Sequence, residues 1–202
     1  MLTVKTTRHP ATAPRLPEDM PLSWHAYFAS AGEANRVGRA AELILLYEMC
    51  REAGIPLAPI EVAERGKPDF RQGGYHFNFS GSGELLAVAL ADAPVGVDVE
   101  PYVPLSTARI ARLSKLLTEE ERAALNASPT PSRTFIEQWV RKEATVKMTG
   151  EGFAAFHAAA PTEDSIAHEE RLTDADGEYY LCVVLGEKEE REEVELFDDY
   201  DE

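Results

Sequence analysis

The sequence predicts an α+β (α/β) fold whose two halves are similar in size and element type. Short β-patterned segments at 76–80, 85–90, 95–100 and 179–185 read as strands, whereas 30–50, 105–127 and 131–149 repeat their apolar residues at helical spacing. The order is therefore helix, three strands, helices, strand. With 202 residues, 44% of them hydrophobic, the chain is long enough to bury a sizeable core.

Residues 1–24 carry Pro10, Pro14, Pro17 and Pro21 and no clear period, so they are expected to be irregular apart from a short strand near 2–6. Ser30 and Glu33 form a capping-box pattern that opens the first helix. Gly54 closes the segment, and Leu43, Leu46 and Tyr47 face inward. Arg36 and Arg39 stand in the first half of that helix. Cations there oppose the helix dipole unless an anion visits, and the alternative is a pair of ordinary surface arginines. Gly66-Lys67-Pro68 is a turn, and Gly81-Ser82-Gly83 breaks the next strand as a backbone-exposed turn.

In 95–100 the valines occupy one face, and Gly96, Asp98 and Glu100 the other. Pro101 ends the strand. Residues 105–127 read as helical through Ala108, Leu113, Leu116 and Leu117, with a capping box from Thr118 to Glu121 opening a further turn. Thr130 is the expected N-cap of the last helix, Pro131 its first residue and Gly150 its stop. Phe135, Trp139, Lys142 and Val146 form its core-facing stripe, with Lys142 the polar exception.

The net charge is −16, and residues 186–202 alone hold ten acids against two bases. Such a chain is a poor partner for nucleic acid or an anionic membrane, and the tail is expected to be solvated and partly disordered. No apolar run is long enough to span a bilayer and the N-terminus lacks a signal-peptide core. Cys50 and Cys182 match no metal or redox spacing, so a cytoplasmic location is expected.

The chemistry concentrates in carboxylates. Asp98 and Glu100 share a strand face, either as an acidic solvent-facing surface or as two oxygen ligands with a cation between them. Glu143 and Lys147 lie one helical turn apart, either as a surface ion pair or as a carboxylate and an ammonium holding a metal and a phosphate. Three carboxylates from a strand and a helix suit Mg²⁺. A Gly-x-x-x-x-Gly-Lys-Ser/Thr phosphate loop is absent from the sequence.

Val95-Gly96-Val97-Asp98-Val99-Glu100, followed about 40 residues later by Trp139-Val140-Arg141-Lys142-Glu143-Ala144-Thr145-Val146-Lys147, resembles the two signature motifs of the 4′-phosphopantetheinyl transferases. The single-chain, surfactin-synthetase-activating type fits best. Gly66-Lys67-Pro68 and Phe77-Asn78-Phe79-Ser80-x-Ser82-Gly83 match upstream, and the likeness covers residues 36–153.

The resemblance implies two α/β halves packed as an intramolecular pseudo-dimer, with coenzyme A between them. The halves would be 1–97 and 98–186, with 187–202 the acidic tail. It implies transfer of phosphopantetheine from coenzyme A to a serine of an apo acyl or peptidyl carrier protein, releasing 3′,5′-ADP, by a monomer. Asp98, Glu100 and Glu143 would ligate Mg²⁺, with Mn²⁺ as a substitute, and Lys147 would meet the donor's phosphates. Glu143 or Glu121 would be the base, Glu121 being otherwise a helix-start acid. Lys67 would lie near the nucleotide, and Arg36, with Arg39 as competitor, would meet the 3′-phosphate.

Two departures stand out. Gly81 occupies the place of a histidine that in the family contacts the 3′-phosphate side of the donor, leaving the backbone of Ser80, Gly81 and Ser82 as the phosphate cradle. The basic cluster before the first-half arginine is also missing, since Trp24-His25-Ala26-Tyr27-Phe28 offers only His25. The alternative to an active transferase is therefore a degenerate or donor-altered relative that binds coenzyme A or a carrier.

Overall fold

A computed structural model describes residues 1–188, and the acidic tail expected from 187 onward lies almost wholly outside them. Two three-stranded antiparallel sheets form the centre of the molecule. The first contains β1 (Leu2–Arg8), β5 (Leu85–Ala91) and β4 (His76–Ser82), with β5 in the middle. The second contains β6 (Val95–Pro101), β8 (Gly177–Leu185) and β7 (Ile166–Asp174), with β8 in the middle. Each sheet thus has an opening strand at one edge, a helical excursion, and a hairpin whose last strand returns to the centre. Residues 97 and 98, between which the sequence divides the halves, are neighbours inside β6.

One long helix covers each sheet. Helix α2 (Arg36–Ala53) packs Leu43, Leu46 and Met49 against Val88 and Leu90 of the first sheet. Helix α5 (Pro131–Thr149) packs Ile136, Val140 and Ala144 against Tyr180, Cys182 and Val184 of the second. A third apolar layer joins the sheets: Ala87, Ala89 and Ala91 meet Val95, Val97, Val99, Leu181 and Val183. All seven residues of β5 are buried, because both of its faces are covered.

Several expectations need correction. Residues 9–21 are irregular as expected, but 22–24 are not, because α1 (Leu22–Ala29) begins there and buries Trp24 completely. Ser30 does not cap the following helix. It ends α1, its Oγ donating to the Tyr27 carbonyl, and α2 starts only after a 3-10 turn at Glu33–Asn35. The helix expected over 105–127 is broken into α3 (Thr107–Leu113), a 3-10 turn and α4 (Glu119–Ala127). It breaks where Thr118 closes its capping box with Glu121, a device that starts a helix and interrupts the preceding one. The short hairpin β2 (Ile60–Val62) and β3 (Pro68–Phe70), and the strand β7, were not foreseen. Gly54 and Gly150 do end α2 and α5, in the left-handed conformation at φ 67° and 71°.

Candidate functional site

The polar face of β6 is not open to solvent as one of its two readings had it. Helix α5 lies directly on it, and Gly96 is what permits the approach: a Cβ there would stand 2.0 Å from the Ala144 carbonyl oxygen and 2.4 Å from the Met148 amide nitrogen. Helix and strand meet backbone to backbone, so Glu143 and Lys147 are set down beside Asp98 and Glu100. Asp98 is 2% exposed.

The first sheet supplies the other wall. Strand β4 runs alongside β6, and its side chains bind the β6 backbone: Asn78 Oδ1 accepts from the Val97 amide at 3.0 Å and Ser80 Oγ from the Val99 amide at 3.3 Å. Ser80 Oγ donates to Asp98 Oδ1 at 2.8 Å, and Lys147 Nζ reaches both that oxygen, at 2.6 Å, and Ser80 Oγ, at 3.0 Å. Ser82 Oγ donates to Glu100 Oε2 at 2.6 Å. Trp139 Nε1 donates to Glu143 Oε1 at 2.9 Å, which fixes that carboxylate on its own helix face.

The acids strain against one another. Burial, with the charges of Asp98 and Glu100 added to it, pushes Glu143 up to about 7 although Lys147 opposes the rise. Burial also raises Glu100, against the Ser82 hydrogen bond. Asp98 Oδ2 is buried without a hydrogen-bond partner. A half-satisfied buried carboxylate beside two further acids fits a hard cation and is costly without one. As placed, no three His, Cys, Asp or Glu groups among the described residues are close enough to hold a metal ion.

Two hollows open on either side of this cluster. One, of about 240 Å³, is lined by Lys67, Pro68, Asn78 and Phe79 from the first half and by Val146, Lys147 and Gly150 from α5. The other, of about 230 Å³, is mostly apolar and is lined by Pro101, Leu105, Leu113, Phe135 and Trp139, with Glu100 and Arg109 at its polar margin.

The remaining candidates fall in different places. Lys67 donates to the Met148 carbonyl at 2.8 Å and the Val95 carbonyl at 3.3 Å, so it caps the C-terminus of α5 while lining the first hollow. Arg39 lies 4.0 Å over the Tyr27 ring with its Nε 3.6 Å from Glu42, whereas Arg36 is exposed and carries no ion pair among the described residues. Gly81 lies within β4 rather than in the turn expected over 81–83, and a Cβ there would stand 2.6 Å from Leu86 Cδ2, so a side chain at this position requires Leu86 to turn aside.

Glu121 is kept apart from the acidic cluster. Its Oε2 accepts the Thr118 amide at 2.7 Å and lies 3.1 Å from Lys142 Nζ. Lys142 is fully buried and also donates to the His157 carbonyl at 3.2 Å and the Ala159 carbonyl at 2.5 Å. Of the stripe expected from the sequence, Phe135 and Lys142 are buried but Trp139 and Val146 are only half-buried, and the residues that face the sheet are Ile136, Val140 and Ala144. Asn78 and Glu42 also went unassigned. Asn78 lay inside a quoted motif, and Glu42 could have been found as the i+3 partner of Arg39.

A family model described as the 4′-phosphopantetheinyl transferase superfamily matches residues 94–196. The chain is 31% identical over 118 residues to the 4′-phosphopantetheinyl transferase psf-1 of Bacillus pumilus, covering 56% of this chain and 49% of that protein. It is 30% identical over 123 residues to a 4′-phosphopantetheinyl transferase of Bacillus subtilis, covering 54% of each. The chain spans about half the length of the curated relatives it matches.

Proposed function

The chain belongs to the 4′-phosphopantetheinyl transferase superfamily, and from that premise we propose that it transfers phosphopantetheine from coenzyme A to a serine of an apo acyl or peptidyl carrier protein. The observation that carries this reading is the convergence of Asp98, Glu100, Glu143 and Lys147 between two hollows, one walled by both halves and one apolar. The donor lies in the first hollow and the carrier's serine approaches through the second.

Asp98, Glu100 and Glu143 would hold Mg²⁺, or Mn²⁺, which when bound supplies charge neutralisation at the donor's pyrophosphate. Lys147 stands beside Asp98 and is placed to meet the leaving phosphate as a point charge. The serine Oγ forms a bond to the phosphorus that carries pantetheine, the bridging P–O bond to 3′,5′-ADP breaks, and the serine proton passes through a water to Glu143. The rise to about 7 belongs to the cation-free site and a bound cation would lower it, so this role for Glu143 rests on its position beside Asp98 and Glu100. Glu121 is the weaker candidate, since its carboxylate is engaged by Thr118 and Lys142.

The shared strand order of the two sheets supports an intramolecular pseudo-dimer acting as a monomer. We place the division in the turn at 92–94, which keeps β6 whole. A cytoplasmic location agrees with two free, buried cysteines, and no helix among the described residues is long and apolar enough to cross a membrane.

The test is the intact mass of an apo acyl carrier protein and an apo peptidyl carrier protein after incubation with this protein, coenzyme A and Mg²⁺. A gain of one phosphopantetheine group, lost with Glu143→Ala and retained with Glu121→Gln, is expected. No gain on either carrier overturns the transferase reading in favour of a coenzyme A or carrier-binding module.

A further inference from the structure

The charge of α3 runs against that of the chain. No Asp or Glu stands between Glu100 and Glu119, while Arg109, Arg112 and Lys115 recur at every third position in a protein of net charge −16. Ile110 and Leu113 pack inward with Leu117, Leu125 and Phe135, and the three cations are exposed. They lie along one side of α3 and of the 3-10 turn that continues it, Ser114–Leu116.

These side chains have no partner within the fold. Among the described residues every other Lys and Arg except Arg36 is engaged by a carboxylate or by backbone carbonyls. Arg109, Arg112 and Lys115 make no side-chain hydrogen bond or ion pair there. Arg112 stands in the last turn of α3, where a cation suits the helix dipole, but that accounts for one of the three. Like charges three residues apart repel, so the ridge is mildly unfavourable until an anionic surface meets it.

The ridge borders a hollow. Arg109 stands at the margin of the mostly apolar hollow of about 230 Å³, and its charge is felt at Glu100. Val103 lines the same hollow and is 48% exposed. An apolar hollow with cations along one side is matched by a protein surface that offers an apolar side chain beside carboxylates. Nucleic acid and anionic membrane match it less well, because the chain as a whole repels polyanions.

We propose that Arg109, Arg112 and Lys115 dock an acidic protein partner, one of whose apolar side chains enters the adjoining hollow. The partner's identity rests on the transferase reading: it is the carrier, and the ridge favours carriers with carboxylates next to the acceptor serine over those without them.

The experiment measures the Michaelis constant for an acidic apo acyl carrier protein with the full chain, Arg112→Glu and Lys115→Glu. Arg15→Glu is the control: it changes the net charge by the same amount, and its side chain is 83% exposed in the irregular segment before α1. Arg109 is left in place because it neighbours Glu100. Binding of the same carrier without donor is followed by titration calorimetry. Each ridge variant is expected to raise the Michaelis constant and the Kd about five- to tenfold at low salt with kcat within about twofold, and Arg15→Glu to change either by less than about twofold. The difference should shrink as salt rises from about 0.02 M to about 0.5 M, because exposed charges are screened. Equal effects from all three variants, or a Michaelis constant that does not respond to salt, overturn the proposal. Binding to phosphatidylglycerol vesicles, or self-association, that is lost with Arg112→Glu while carrier binding is unchanged would give the ridge to a lipid or to a second copy and overturn it too. Ridge-dependent carrier binding with no transfer would keep the docking surface and remove the transferase reading. Transfer with unchanged Michaelis constants in both ridge variants would do the reverse.

Discussion

Lys147 Nζ lies 2.6 Å from Asp98 Oδ1 while Asp98 Oδ2, equally buried, has no partner. The ammonium neutralises the carboxylate and satisfies one of its oxygens, and the other is left to whatever cation enters between Asp98, Glu100 and Glu143. The lysine is therefore both a functional group and an internal counter-ion.

The first prediction follows from that double use. Lys147→Met leaves Asp98 charged at 2% exposure with Ser80 as its remaining side-chain donor. Because Lys147 itself keeps 29% exposure, the loss is discounted to about 1–3 kcal/mol of unfolding free energy. Millimolar Mg²⁺ should restore part of that loss, since a second cation can take up the charge. Urea titrations with and without Mg²⁺ measure this. An equal Mg²⁺ stabilisation of Asp98→Asn would show that the ion binds elsewhere.

Lys142 and Glu121 make a separate prediction about structure. The buried ammonium ties α5 to α4 and to the loop carrying His157 and Ala159. Lys142→Met strands two carbonyls and the Glu121 carboxylate, and should cost about 3–5 kcal/mol. Adding Glu121→Gln should recover some of it, because the stranded charge is then gone. Glu121→Gln alone should lower the unfolding midpoint and leave the transfer rate within about tenfold of the parent. A collapse of the rate in a variant that is folded at assay temperature would return Glu121 to the reacting groups.

The β6–α5 approach can be tested at one atom. Gly96→Ala puts a methyl into the backbone of α5, which cannot rotate away as a side chain would. We expect a loss of about 3 kcal/mol or more, because the helix must lift from the strand. The same lift separates Glu143 and Lys147 from Asp98, so donor binding should weaken together with stability. Gly32→Ala is the control: φ is −59° and nothing lies within 4 Å of the added Cβ. Unfolding in guanidinium, followed by circular dichroism, compares the two. Equal midpoints would mean that the contact at Gly96 relaxes at little cost.

How much of this could be read in the sequence differs element by element. Helix α5 was legible because its ends carry local chemistry, Pro131 at the first position and Gly150 beyond the last turn. Strand β6 was legible because its alternation is strict. Helix α1 was not: Leu22 is 87% exposed while Trp24 is fully buried, so its apolar residues do not form a stripe. Strand β7 was hidden because most of its residues are exposed or half-buried and its pairing is imposed by the backbone of β8. At the site, the motif residues were found where spacing along one element sufficed. Whether the acidic face of β6 is covered depended on a helix more than 40 residues away, and Glu42 acquires its surroundings only when β1, α2 and α5 come together.

The last prediction concerns the two thiols. Cys50 is buried against α2's apolar neighbours and Cys182 lies in the α5-facing layer of β8. Burial pushes each up to about 12, with the Glu169 charge adding to the rise at Cys182. Tyr27 and Tyr102 are also pushed up to about 12, in both cases chiefly by burial. A group whose pKa is higher folded than unfolded contributes stability that is fully present below its unfolded value, about 8.5 for a thiol, and lost as pH rises through the folded one. The unfolding midpoint should therefore fall as pH is raised from about 8 to about 11, and fall less in the Cys50→Ala/Cys182→Ala variant, which keeps the tyrosine contributions but loses those of the thiols. At neutral pH both thiols should resist a disulfide reagent such as dithiobis(nitrobenzoate) until the chain is unfolded, because the reactive thiolate is scarce and shielded. Fast reaction of either thiol in the native protein, or an unchanged midpoint up to about pH 11, would show that these groups are not closed off from water as the packing has them.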